Sequence, residues 1–133
     1  MENDMVNAGP SGRSKKVLVV DDSRTIQMTA RRFLDGAPVE VITAKDGYEA
    51  TKAMYEHKPD LVFVDVMMPR IDGYKFCSVI KNNQAFAATP VIMLTSKDGL
   101  IDKARAKLVQ ADGYLIKPFN KGSMSEIVAR YLP

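Results

Sequence analysis

Four short runs in this chain are rich in apolar, mostly β-branched or aromatic residues, and each gives way abruptly to a polar side chain. Val17-Leu18-Val19-Val20 ends in Asp21-Asp22, and Leu61-Val62-Phe63-Val64 ends in Asp65. Pro90-Val91-Ile92-Met93-Leu94 ends in Thr95-Ser96, and Tyr114-Leu115-Ile116 ends in Lys117-Pro118. Runs of this kind suit strands buried on both faces. Segments of helical period separate them, so the chain reads as βα repeated five times: a parallel sheet with helices on both sides and right-handed crossovers. Such a chain has two main strand orders. In the order 2-1-3-4-5, strands one and three are neighbours at the topological switch point, and Asp21, Asp22 and Asp65 meet in the crevice at their carboxyl ends.

Local signals fill in the helices. Ser23 is a plausible N-cap, followed by Ile26, Ala30, Phe33 and Leu34 at helical spacing before Gly36. Pro38-Val39-Glu40-Val41-Ile42-Thr43 alternates like an edge strand. Asp46-Gly47, Asp72-Gly73 and Asp98-Gly99 each look like a turn by dipeptide alone, yet helical patterns follow all three, so the aspartates are expected to cap helix starts. Met124, Ile127, Val128 and Tyr131 share one face of a final helix. Residues 1 to 14 include Gly9-Pro10-Ser11-Gly12 and little that could pack, so they read as a flexible tail before one domain over 15–133.

Composition narrows the function classes. A chain of 133 residues, 46% apolar, is the size of one soluble globular domain. No apolar run approaches the roughly 18 residues of a membrane span, and Glu2 and Asp4 stand where a secretory signal would be basic and then apolar. A cytoplasmic protein without membrane insertion is the expectation. The lone Cys77 cannot form an internal disulfide and reads as a small core residue. The net charge of +3 is spread among acids, as in Lys45-Asp46 and Asp102-Lys103-Ala104-Arg105, which fits a solvated surface better than a nucleic-acid patch.

Carboxylates crowded at the strand ends repel one another unless a proton or cation offsets them. A hard divalent ion answers that need: Mg²⁺ prefers oxygen ligands and is often held by one or two carboxylates together with a phosphoryl oxygen. Zinc does not fit, because neither His57 nor Cys77 lies near these ends.

The motifs in combination carry a family resemblance. Val-Asp-Asp-Ser at 20–23, Val-Asp-Val-Met-Met-Pro-Arg-Ile-Asp-Gly at 64–73, Leu-Thr-Ser-Lys at 94–97 and Tyr-Leu-Ile-Lys-Pro-Phe at 114–119 make the chain resemble a receiver domain of the two-component response regulators. The resemblance covers about Lys15 to Leu132, with no attached output domain, as in the CheY-type chemotaxis regulators. Ile-Lys-Asn-Asn at 80–83 and the run at 89–100 look closer still to regulators of twitching motility driven by type IV pili.

The resemblance implies a flavodoxin-like, CheY-like doubly wound fold of order 2-1-3-4-5. It implies a phosphoacceptor switch rather than an enzyme. Asp65 would take a phosphoryl group from a histidine kinase or its phosphotransfer domain. Asp22 would bind Mg²⁺ directly and Asp21 mainly through water, with Asp65 and the Met67 backbone carbonyl as further ligands. Lys117 would pair with the phosphoryl oxygens, and Thr95 would turn its hydroxyl toward them, with Tyr114 as the second member of the switch. A downstream protein target would meet the fourth helix, the strand at 114–116 and the final helix. The resemblance also implies a cis Lys117-Pro118 bond and a role for Met67 and Lys97 in tuning dephosphorylation.

Two rivals share parts of this pattern. A metal-dependent phosphohydrolase also uses an aspartate nucleophile with Mg²⁺, but it needs a second acid or base near the nucleophile, where this chain has Met67. A flavodoxin-like flavin binder would need small hydroxyl and glycine residues after strand one, and Asp21-Asp22 would repel its phosphate.

Overall fold

The computed structural model describes residues 14–68, 72–96 and 100–133. Pro69, Lys97 and the Asp98 cap of the sequence reading, and all of the tail except Ser14, lie outside them. In chain order the elements are β1 (Lys15–Val20), α1 (Arg24–Phe33), β2 (Val39–Ala44), α2 (Gly47–His57) and β3 (Leu61–Asp65). They continue with α3 (Gly73–Lys81), β4 (Val91–Thr95), α4 (Leu100–Leu108), β5 (Gly113–Ile116) and α5 (Lys121–Tyr131). The strands form one sheet in the order β2-β1-β3-β4-β5, and every pairing is parallel.

Period-two alternation divides the strand side chains between two cores. Val17, Val19, Leu61, Phe63, Ile92 and Leu94 face α1 and α5, where Ala30, Leu34, Met124, Ile127 and Val128 meet them. Leu18, Val20, Val62, Val64, Val91 and Met93 face α2, α3 and α4, against Met54, Phe76, Cys77, Ile80 and Ala106. The central strands are buried on both faces, which explains their unbroken apolar runs. β2, at one edge, stays only partly buried, as its alternation suggested.

The aspartate caps expected at 46 and 72 are present. Asp46 accepts the Glu49 amide at 2.8 Å and Asp72 the Lys75 amide at 2.7 Å, so both dipeptides start helices rather than hairpins. Ser23 caps α1 by accepting the Ile26 amide at 3.3 Å. Asn120 and Ser123 form a reciprocal capping box on α5 that the sequence reading did not identify.

No helix among the described residues is long and apolar enough to cross a membrane.

Candidate functional site

The parallel register lines up the strand ends. Val20 pairs with Val64, so Asp21 continues β1 alongside Asp65. Asp65 in turn pairs with Leu94, one residue before Thr95, and Thr95 pairs with Ile116, one residue before Lys117. Carboxylates, hydroxyl and ammonium therefore arrive at one edge of the sheet, as the order 2-1-3-4-5 required.

Asp21, Asp22 and Asp65 each offer a carboxylate oxygen within 4.8 Å of the others. Asp21 is fully buried and Asp65 nearly so, while Asp22 is exposed at the rim. Lys117 lies between the two buried acids, with Nζ 2.9 Å from Asp21 Oδ2 and 3.3 Å from Asp65 Oδ1. The Asp21 contact is an ion pair without hydrogen-bond alignment, which leaves that buried oxygen with a charge partner but no directed donor. Ser23 donates its amide to Asp21 Oδ1 at 2.9 Å, and Met67 donates its amide to Asp65 Oδ1 at 3.3 Å.

One ammonium facing three carboxylates leaves an excess of negative charge, and the protonation equilibria reflect it. Burial, and after it the Asp21 charge, raise the Asp65 pKa above the usual carboxylate value, although Lys117 and the Met67 amide pull the other way. For Lys117, burial lowers the pKa, but the close contact with the Asp21 carboxylate and its charge, with the Asp65 charge, outweigh it and leave the net shift upward. The net effect favours the ammonium form. Three carboxylates at one edge of the sheet, with a buried Asp21 oxygen that has no directed donor, make a donor set suited to a hard divalent cation.

The structure places the remaining residues named from the sequence as follows. Thr95 is buried at the end of β4, and its carbonyl accepts the Lys117 amide at 2.7 Å, which ties β4 to the loop carrying the lysine. The Lys117-Pro118 bond is cis. The Met67 side chain is 72% exposed, so an apolar residue at the mouth of the pocket touches solvent rather than core. Tyr114 lies further back on the edge strand β5, opposite Met93, with Lys103 Nζ 5.5 Å from its ring centre. His57 ends α2, and Cys77 is buried in the core, both away from this edge.

Two contacts at this edge were not anticipated from the sequence. Gln27, on α1, donates from Nε2 to the Asp21 carbonyl at 2.7 Å. Gly73 brings the start of α3 against the Asp65 backbone, with its amide donating to the Val66 carbonyl at 3.0 Å. Gly73 had a signal in the Asp-Gly pair, but Gln27 had none.

Comparison with known proteins agrees with this geometry. Residues 17–129 match the family model for the response regulator receiver domain. The chain is 50% identical over 118 residues to Protein PilG of Pseudomonas aeruginosa, covering 89% of this chain and 87% of that one. It is 40% identical over 107 residues to the alkaline phosphatase synthesis transcriptional regulatory protein PhoP of Bacillus subtilis, spanning 80% of this chain but only 44% of that longer protein. Among solved structures it is similar to the chemotaxis response regulator CheY4 of Vibrio cholerae, with a TM-score of 0.84 and 35% identity over 90% of this chain and 99% of that one.

Proposed function

The chain belongs to the response regulator receiver domain family, and from that membership we propose that Asp65 is its phosphoacceptor, served by Asp21, Asp22, Lys117 and Thr95. The observation that carries this reading is the cluster itself: a nearly buried carboxylate at the end of the third strand, held by Lys117 and flanked by two more acids. The Met67 amide and Lys117 both engage Oδ1, which leaves Oδ2 as the nucleophile. As the phosphorus–oxygen bond forms, the bond to the donor's phosphohistidine nitrogen breaks. Lys117, already positioned as a cation, pairs with the equatorial oxygens. Phosphoryl transfer depends mainly on such positioning and charge neutralisation. Asp21, Asp22, Asp65 and the Met67 carbonyl would hold Mg²⁺, which supplies the positive charge that the transferred group requires.

Receiver domains are phosphoacceptor switches, and this chain fits a switch that turns over no external substrate. The partners are a histidine kinase or its phosphotransfer domain and a downstream protein target, rather than nucleic acid or a membrane, in the cytoplasm. Identity to PilG over most of both chains, with the motifs at 80–83 and 89–100, supports chemotaxis-like control of type IV pilus motility. The target meets α4, β5 and α5, and Thr95 and Tyr114 report the state of Asp65. Tyr114 supports this reading by its half-exposed place on β5 beside α4. A phosphoryl group shifts the equilibrium only through its different interaction with the two states. Tyr114→Ala should retain labelling of Asp65 while weakening phosphorylation-dependent capture of the target.

Acetyl phosphate with Mg²⁺, followed by intact mass, tests the assignment. The parent should gain one phosphoryl group and Asp65→Asn none; equal labelling of the variant would refute it.

A further inference from the structure

We propose that Gln27 is a positioning residue for the divalent cation of the acidic cluster, a proposal that rests on the Mg²⁺-dependent reading above. Asp22 is the exposed member of the cluster, and none of the described residues holds its carboxylate by a hydrogen bond or ion pair. The backbone therefore sets where its Cα–Cβ bond starts, and with it the arc the carboxylate can reach. The Gln27 side chain holds that backbone directly, with Nε2 donating to the Asp21 carbonyl at 2.7 Å, while its main-chain amide makes the first helical bond of α1, to the Ser23 carbonyl at 3.1 Å, as any residue here would.

The side-chain bond falls on the peptide unit that joins Asp21 to Asp22. The Asp21 amide, one peptide earlier, donates to the Ala44 carbonyl at 2.9 Å. Rotation of the Asp21–Asp22 peptide would swing the Asp22 carboxylate relative to Asp65, and the Gln27 side chain resists it together with the Asp21 carboxylate, which accepts the Ser23 amide at 2.9 Å. The amide orientation is not ambiguous, since a carbonyl oxygen can only accept and so must face the NH₂ end. Gln27 is half-buried and is not itself among the clustered acids, so it acts through Asp22.

Calorimetric titration of the full chain with Mg²⁺ tests the proposal, using the parent, Gln27→Ala and Gln27→Glu. Loss of one hydrogen bond that orients a ligand should weaken Mg²⁺ binding by about 3- to 10-fold in the alanine variant. Its metal-free melting temperature should change little. Gln27→Glu keeps the length but cannot donate at neutral pH. Simple attraction between the added charge and the cation would tighten binding, whereas loss of positioning weakens it. With acetyl phosphate, both variants should need more Mg²⁺ for half-maximal labelling of Asp65, yet approach the parent's rate at saturation. An alanine variant within about twofold of the parent, or a glutamate variant that binds more tightly, would overturn the proposal and leave Gln27 a structural contact. Absence of Mg²⁺ binding by the parent would instead overturn the reading of the cluster on which the proposal rests.

Discussion

Gly73→Ala should damage this protein more than its helical position suggests. Gly73 is the first residue of α3, where alanine would ordinarily gain roughly 1 kcal/mol from helix propensity. Space decides otherwise. A Cβ built on Gly73 would overlap the Asp65 carbonyl oxygen, and would stand 2.8 Å from the Asp65 carbonyl carbon and 2.9 Å from Val66 Cα. Comfortable carbon–carbon contact begins near 3.5 Å, so these two carbon contacts are short by roughly 0.6 to 0.7 Å. The obstruction is backbone and cannot rotate aside, because Val66 is held by its amide to the Leu94 carbonyl at 3.0 Å. α3 must move off β3. Overpacking of this kind costs about 3 kcal/mol or more, at the upper end of its usual range, which leaves roughly 2 kcal/mol of net destabilisation after the helix gain. For a domain of this size that lowers the melting temperature by roughly 8 °C. Gly36→Ala is the control: its φ of +90° makes alanine strained, but nothing lies within 4 Å, so only a conformational cost of about 1 kcal/mol arises. Paired thermal and urea unfolding of the two variants measures the contrast. Because the displaced carbonyl belongs to Asp65, acetyl-phosphate labelling should also slow in Gly73→Ala and not in Gly36→Ala. A Gly73→Ala protein as stable as the parent would refute the argument.

Three further predictions follow from the charges and the core. The Asp65 pKa is raised above its 3.8 reference, so stability from this group is present below that pH and is lost as pH rises through the folded value. Metal-free Asp65→Asn should accordingly be at least as stable as the parent at pH 7, with the difference closing toward pH 4; a variant less stable at pH 7 would contradict the electrostatic account. Lys117→Met strands Asp21, whose side chain is 1% exposed, without its counter-charge, and should cost about 3 kcal/mol in urea unfolding without metal, a loss that saturating Mg²⁺ partly restores. The Cys77 thiol is buried and its pKa is pushed up to about 11, so a thiol-specific chromogenic reagent at pH 8 should label it no faster than the protein opens, and at once in denaturant.

Much of the site could be read from the chain because a parallel sheet turns sequence into position. Each of the four apolar runs is too short to be anything but a buried strand among helices, and the residue after each run must then emerge at the same edge. This places Asp21, Asp65, Thr95 and Lys117 at one edge of the sheet before any coordinate is known, and the order 2-1-3-4-5, one of two the pattern allowed, brings them together. The aspartate caps at 46 and 72 were legible for a related reason, since the bond they make spans only three residues. What the sequence could not supply was contact across the fold. The periodicity that marks α1 as a helix does not show that Gln27 would turn back to the Asp21 carbonyl, because that depends on how α1 packs over the end of β1. Nor does Asp72-Gly73 reveal why glycine is needed. A turn dipeptide suggests conformational freedom, whereas the structure shows a helix start pressed against the backbone of β3. The division of Lys117 between Asp21 and Asp65, and the raised Asp65 pKa that goes with it, likewise belong to tertiary structure. Local patterns set which residues reach the edge, but distances of a few tenths of an ångström between elements remote in sequence set their charge state and aim.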